Sequence, residues 1–265
     1  QWYNGQKIAQ DQALPISFNN LGLKFGATVF TTLRVYRHSL DHPLTQWFAH
    51  CDRLKNSLYQ FNWQEPNWAQ VRQGAETLKA IYPVLRVTIF PDGQEWITGR
   101  ELPPDLSDRQ QKGTTAWVAP AHYQRSLPTH KTGNYLACWL ALQEAQRQGA
   151  TAAILTNLDD SWLETSTGNL WGWQAGCWWT PPLAAGILPG IVRSRLVKHL
   201  QTCQIPVQET PWTPELRKRF TAIAYSNSVT EIIPLRTILM RETRLEYNPC
   251  HSALADLRSL FEQGG

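Results

Sequence analysis

The chain has 265 residues, of which 42% are hydrophobic and 17% charged, with a formal net charge of +4. This is a soluble globular composition, with apolar material for two modest domains or one large one. The charge is too small for a nucleic-acid partner and no Lys/Arg run supports one, and no apolar run approaches the roughly 18 residues that a membrane span needs.

Five cysteines, Cys51, Cys138, Cys177, Cys203 and Cys250, are widely spaced and form no CxxC pair. With an odd count and no secretory apolar region leading the chain, they read as reduced thiols of a cytoplasmic protein. The chain opens on Gln1 rather than Met, so a residue or two is expected before it. Thirteen tryptophans read either as core filler, each indole N–H finding one partner, or as a sugar-stacking surface; the core reading is preferred.

In chain order, residues 2–9 read as a β-hairpin turning at Asn4-Gly5. Residues 29–36 have strand alternation: Val29, Thr31, Leu33 and Val35 on one face, Phe30, Thr32, Arg34 and Tyr36 on the other. A helix around 50–58 carries Phe48, Leu54, Leu58 and Phe61 at helical spacing, with Arg53 at the edge of that stripe. Another spans 67–81 with Asn67 as its N-cap. Residues 84–90 and 96–98 form a strand pair around Pro91-Asp92-Gly93, and 101–113 read as a polar surface loop.

A strand at 114–119 leads into His130-Lys131-Thr132-Gly133-Asn134-Tyr135. A helix is expected from Gly133 to Gln148, with Tyr135, Leu136, Trp139, Leu140, Leu142 and Ala145 as its buried stripe. Strands follow at 152–156, at 162–173 with an internal tight turn, and at 177–180. Glu164 is the one acid in that apolar context. Gly186-Ile187-Leu188-Pro189-Gly190 opens a helix from Ile191 to Gln201, whose first amides, on Ile191 and Val192, suit an anion. A strand at 206–209, a helix starting at Thr213, a strand at 222–226, a turn at 227–234 rich in hydroxyls and amides, and a helix at 253–261 complete the chain. No zinc spacing, GxSxG or GxxxxGK[ST] motif occurs. One lysine, one acid in an apolar strand, an arginine on a helix and two anion-ready turns suggest an imine-forming lysine beside a phosphate. A non-enzymatic, Trp-rich ligand-binding protein is the reading from another class.

Several segments, in order, resemble the class IV, fold-type IV pyridoxal-phosphate enzymes, which include branched-chain and D-amino acid aminotransferases and aminodeoxychorismate lyase. They are Phe25-Gly26 leading to Val29-Phe30; His50 with Arg53-Leu54 and Ser57; Lys131 with Asn134-Tyr135; Glu164 with Asn169-Leu170; Thr180-Pro181-Pro182; and Gly186 to Ile191 with Arg193. The resemblance implies a two-domain α/β fold, placed here at residues 1–116 (smaller) and 117–265 (larger, with the lysine). It also implies pyridoxal 5'-phosphate held between the domains, a small-molecule amino substrate and a homodimer. It makes Lys131 the cofactor lysine, Arg53 and Ser228 phosphate ligands with the Ile191 and Val192 amides, Glu164 the partner of the pyridine nitrogen, and Tyr135 a neighbour of the phenolic oxygen. Val192 replaces the family's common Thr, and Ala27 the usual Asp after Phe-Gly. Phe30-Thr31-Thr32-Leu33-Arg34 is similar to the lyase rather than to the Phe-Glu-Gly form of transaminases. This implies elimination of pyruvate from 4-amino-4-deoxychorismate to give 4-aminobenzoate for folate synthesis, with an aminotransferase as the alternative. Thr31 is then a catalytic candidate, and Phe30, Arg34 and Arg86 are expected on the substrate side.

Overall fold

In the computed structural model, which describes residues 1–9, 11–14 and 16–262, the chain divides into two units. Gln1–Pro104 with His130–Tyr135 form the first, and Asp105–Thr129 with Leu136–Gly265 the second.

In the first unit, β1 (Trp2–Tyr3) and β2 (Gln6–Lys7) pair antiparallel. Asn4 and Gly5 between them have φ of 45° and 80°, the left-handed pair that a tight hairpin of this kind needs. Buried Glu95 ties the hairpin down, accepting from Trp2 Nε1 (3.0 Å) and Gly5 N (2.7 Å). A short helix, α1 (Leu21–Phe25), is capped by Asn20 and stopped by left-handed Gly26. It buries none of its residues, so no apolar stripe announces it in the sequence. β3 (Val29–Arg34), α2 (Trp47–Gln60), α3 (Trp68–Lys79), β4 (Val84–Ile89) and β5 (Glu95–Arg100) follow. Asn67 caps α3 as expected, accepting from the Ala69 and Gln70 amides.

The strands form an antiparallel sheet in the order β2-β1-β5-β4-β3. Val29 and Leu33 join Leu54, Leu58, Val71, Leu78 and Leu85 in one core. Side chains alternate along a strand, so Val29, Thr31 and Leu33 face the helices while Phe30, Thr32 and Arg34 line the opposite face. Phe48, expected in the α2 stripe, is 70% exposed. The buried face is Trp47, His50, Cys51, Leu54, Ser57 and Leu58.

The second unit begins with α4 (Leu106–Lys112), inside the stretch expected to be loop. Buried Leu106 and the Arg109–Asp105 pair one turn apart hold this helix. Then come β6 (Thr114–Val118), α5 (Leu136–Arg147), β7 (Ala152–Thr156), β8 (Trp162–Thr165), β9 (Asn169–Gln174), β10 (Cys177–Thr180), α6 (Ile191–Thr202), β11 (Val207–Glu209), α7 (Pro214–Arg217), β12 (Ala222–Asn227), β13 (Glu231–Leu239), β14 (Arg244–Glu246) and α8 (Leu254–Glu262). The strand order is β11-β10-β9-β12-β13-β6-β7-β8, with β14 on β13. β8 also pairs with β9 through Glu164 and Asn169, which closes β9, β12, β13, β6, β7 and β8 into a ring. Trp171, Trp178, Val192, Leu196, Leu200, Leu254 and Leu257 pack α6 and α8 together in a second core.

Several expectations are corrected here. The division does not fall at residue 116: β6 pairs with β13 and β7, which carries 105–129 into the second unit. The lysine segment 130–135, expected there, belongs to the first unit. The helix after it starts at Leu136 rather than Gly133, because Thr132 bridges Val29 at the start of β3 and Gly133 N donates to Thr28 O instead. Its buried face is Cys138, Ala141 and Ala145, while Leu136 and Trp139 are 61% and 50% exposed. α5 lies against β7 and close approach selects small side chains. The core expectation holds for six of the thirteen tryptophans, Trp2, Trp47, Trp162, Trp171, Trp178 and Trp212, the last four fully buried, while Trp63, Trp68 and Trp173 pack partly buried against the two cores. The indole N–H groups of Trp162 and Trp212, however, have no hydrogen-bond partner among the described residues. Among the described residues no helix is long and apolar enough to cross a membrane.

Because Ala141 is buried on the small face of α5, Ala141→Leu should lower stability by about 1–3 kcal/mol through overpacking, read as a lowered midpoint in urea denaturation.

Candidate active site

In the first unit the lysine segment lies along the outer edge of β3. Phe30 N donates to Lys131 O (2.8 Å), Gly133 N donates to Thr28 O (2.7 Å), and Val29 bridges Thr132. A Cβ on Gly133 would stand 2.2 Å from Thr28 Oγ1 and 2.7 Å from Gly26 O, so only glycine permits this approach. Lys131 is therefore held by a sheet edge, five residues before α5. Its Nζ lies 4.7 Å from the Phe30 ring centroid and 5.4 Å from that of Tyr135. The two rings meet edge to face at 5.8 Å, and the Arg86 guanidinium sits 3.7 Å from the Phe30 centroid. The structure thus brings Phe30, Arg86, Lys131 and Tyr135 together. Thr32 pairs with Arg86 across β3–β4 and shares the Phe30 face by alternation. Arg34 is on the same face, its guanidinium 4.8 Å from the Tyr36 ring centroid.

Thr31 is elsewhere. It is 1% exposed, on the helix side of β3, with Oγ1 at 2.5 Å from His50 Nδ1 and accepting from Arg53 Nη2 at 2.7 Å. Its hydroxyl serves Arg53, and the residue with a hydroxyl on the Phe30 face is Thr32. The expectation for Thr31 on the substrate side is corrected accordingly: the helix that packs on β3 claims every odd-numbered side chain from 29 to 33. On the same helical face as His50 and Arg53, Ser57 Oγ donates to Arg53 O (3.2 Å) and bonds His130 Nδ1 (2.9 Å).

In the second unit Glu164 is 4% exposed. Its Oε1 pairs with Arg125 Nη1 (3.1 Å), and Oε2 accepts from Leu188 N (3.2 Å) and Asn169 Nδ2 (3.3 Å). Asn169 Nδ2 also donates to Leu188 O (2.9 Å). The tight turn Thr165–Gly168, in which Thr165 Oγ1 accepts from Gly168 N, sets Glu164 opposite Asn169. Sequence reading passed over Arg125, which sits in an irregular loop with no periodicity to mark it. Gly190 caps α6 without a side-chain hydrogen bond, and a Cβ there would lie 2.0 Å from Asn169 Oδ1. Glycine thus keeps the carboxylate loop and the Ile191 and Val192 amides side by side, a positive helix end suited to an anion. Ser228 lies in the short turn between β12 and β13, where Asn227 Oδ1 accepts from the Val229 and Thr230 amides. The described residues hold no His/Cys/Asp/Glu group suited to a metal ion.

A family model described as amino-transferase class IV matches residues 28–238. The chain belongs to the class IV aminotransferase family. Among its relatives in the family, the branched-chain-amino-acid aminotransferase of Escherichia coli K12 is 24% identical over 260 residues, covering 89% of this chain and 84% of that one. The aminodeoxychorismate lyase of Vibrio harveyi is 23% identical over 266 residues, covering 93% and 94%. A hypothetical aminotransferase from Mycobacterium tuberculosis, in a PLP-bound form, superposes with a TM-score of 0.81 at 20% identity, over 99% of this chain and 97% of that one. The class IV fold, mixed α/β, is thereby shared.

The Glu164 cluster makes a stability prediction. Arg125→Met leaves a buried carboxylate without its cation and should cost about 3–5 kcal/mol. Adding Glu164→Gln should restore part of that loss, so the double-mutant cycle read by thermal denaturation should be strongly non-additive.

Proposed function

We propose that the protein is a pyridoxal-phosphate lyase that converts 4-amino-4-deoxychorismate to 4-aminobenzoate and pyruvate. The observation that carries this reading is the strand face Phe30, Thr32, Arg34, with Arg86 directly across from Thr32. A neutral hydroxyl flanked by two guanidinium groups suits a dicarboxylate substrate, whereas a carboxylate on that face would repel it.

The residues fit the cofactor. A half-buried lysine amine beside two aromatic rings, a carboxylate held by Arg125 and two further donors, and an uncapped helix start are the groups its aldehyde, ring nitrogen and phosphate call for. When bound, the cofactor supplies an electron sink for the carbon that bears the substrate amine. Lys131 would hold it covalently through Nζ and, once released, take the proton from that carbon. Glu164, fixed by Arg125, Leu188 N and Asn169, would keep the proton on the ring nitrogen. Arg53, the Ile191 and Val192 amides and Ser228 would bind the phosphate, and Tyr135 would bond the phenolic oxygen. Thr32 would guide the departing enolpyruvate, with Arg34 and Arg86 on the substrate carboxylates. A homodimer goes with this reading, supported by the exposed apolar residues Leu21, Leu23 and Phe25 of α1. Sedimentation at twice the monomer mass would agree with it.

The second reading, an aminotransferase, is favoured by the branched-chain aminotransferase relatives of comparable identity. Incubation with aminodeoxychorismate should yield 4-aminobenzoate and pyruvate. Incubation with branched-chain, aromatic and D-amino acids plus 2-oxoglutarate should yield little glutamate. Efficient glutamate formation without 4-aminobenzoate would establish the aminotransferase instead.

Two variants test the residue roles. Borohydride reduction of the holoprotein should fix the cofactor to Lys131 by mass spectrometry, and Lys131→Ala should abolish the adduct; an adduct on another lysine would overturn the assignment. Thr32→Val should lower kcat by about tenfold or more, the scale of one lost hydrogen bond to a charged group, with cofactor affinity unchanged.

A further inference from the structure

Thr31 Oγ1 has two partners among the described residues, His50 Nδ1 and Arg53 Nη2. A guanidinium only donates, so Thr31 accepts from Arg53. At 1% exposure the threonine cannot pass its own hydroxyl proton to solvent. A buried hydroxyl proton needs an acceptor, and the acceptor in reach is His50 Nδ1. That nitrogen must then be unprotonated, and His50 must be neutral with its proton on Nε2.

The surroundings of the imidazole act in the same direction. His50 is 1% exposed, and burial, then Arg53 on its own helix, then Lys131 on the strand-edge segment, hold its pKa well below the ordinary histidine value. A protonated His50 would put a cation beside two others and would turn Nδ1 from an acceptor into a donor.

We propose that His50 is a positioning residue for Arg53: by accepting a hydrogen bond from the Thr31 hydroxyl, it turns a lone pair of that oxygen onto Arg53 Nη2 and fixes the plane of the guanidinium. The relay runs from His50 on α2 through Thr31 on β3 and back to Arg53, one turn further along α2. One end of a long, rotamer-rich side chain is thereby committed before any anion arrives, which lowers the entropy lost when the fork closes on its ligand. This inference rests on the reading of Arg53 as a phosphate ligand, and it separates His50 and Thr31 from the groups that touch cofactor or substrate.

The test compares dissociation constants of pyridoxal phosphate and of pyridoxal, which lacks the phosphate, on the full-length chain. His50→Leu and Thr31→Val should each weaken pyridoxal phosphate by about tenfold or more, the scale of a hydrogen bond to a charged group, and leave pyridoxal affinity unchanged. Two conservative variants should recover most of the loss: His50→Asn, whose Oδ1 can accept the same proton, and Thr31→Ser. Nitrogen-15 NMR should show an unprotonated Nδ1 on His50 at neutral pH. If His50→Leu does not fold, Thr31→Val and the NMR carry the test alone. Equal losses for both ligands, no loss, failure of both conservative variants to rescue, or a protonated Nδ1 would overturn the proposal. Arg53→Met distinguishes the two levels. If it does not discriminate between the ligands, the phosphate reading of Arg53 falls and the relay with it. If it discriminates while Thr31→Val does not, only the relay falls.

Discussion

Two backbone hydrogen bonds, Phe30 N to Lys131 O and Gly133 N to Thr28 O, set the geometry of the first unit's chemistry. They bridge the lysine segment to the β3 edge at Val29 and Thr132, so the position of Lys131 is fixed by the sheet rather than by the helix that follows. A sheet edge with its own core is a stiff support, and the amine inherits that stiffness. The aromatic surroundings follow from it. Phe30 is the β3 residue that donates one of those bonds, and its ring lies within 6 Å of Lys131 Nζ, the Arg86 guanidinium and the Tyr135 ring. Gly133 is the condition for all of this, since any side chain there would collide with Thr28.

The same strand serves two masters by alternation. Its odd residues, Val29, Thr31 and Leu33, are buried toward α2 and α3. Its even residues meet the lysine and Arg86. Thr31 is the point at which the buried face still does polar work, because its hydroxyl reaches an arginine at the rim of the core. The second unit solves a comparable problem with a turn: β8 and β9 meet at Glu164 and Asn169, and the buried carboxylate is satisfied by one guanidinium, one amide side chain and one backbone N–H. A buried charge is tolerated only with such a full set of partners.

The fold was legible where period and punctuation agree. The Asn4-Gly5 hairpin, the Asn67 cap, the strands around Pro91-Asp92-Gly93 and the Gly190 helix start all appear where the residues put them. It was illegible where structure comes from pairing between distant segments. Lys131 and Gly133 stand just before a helical pattern in sequence but hydrogen-bond to residues about a hundred positions earlier, and no local pattern encodes that. α5 misled because its large apolar residues are on the exposed side and its buried face is Cys138, Ala141 and Ala145; large apolar residues are the ones that pattern reading weighs. Of the candidate site, the resemblance pointed to Lys131, Arg53 and Glu164, while Arg125 and Thr32 needed the structure. Arg125 sits in an irregular loop, and Thr32 differs from Thr31 only in the parity of a strand.

That the lysine segment completes the first unit from beyond residue 129 has a consequence for how the chain is born. Synthesis proceeds from the N-terminus, so a nascent chain ending at Pro104 already holds all five strands of the first sheet but leaves the outer edge of β3 bare. That edge stays an unpaired template until residue 133 has emerged. Closing it spans about a hundred residues, at an entropic cost on the order of 4 kcal/mol. Ordering of the lysine is thus a late, long-range event that depends on the intervening β6 and its approach loop having been made.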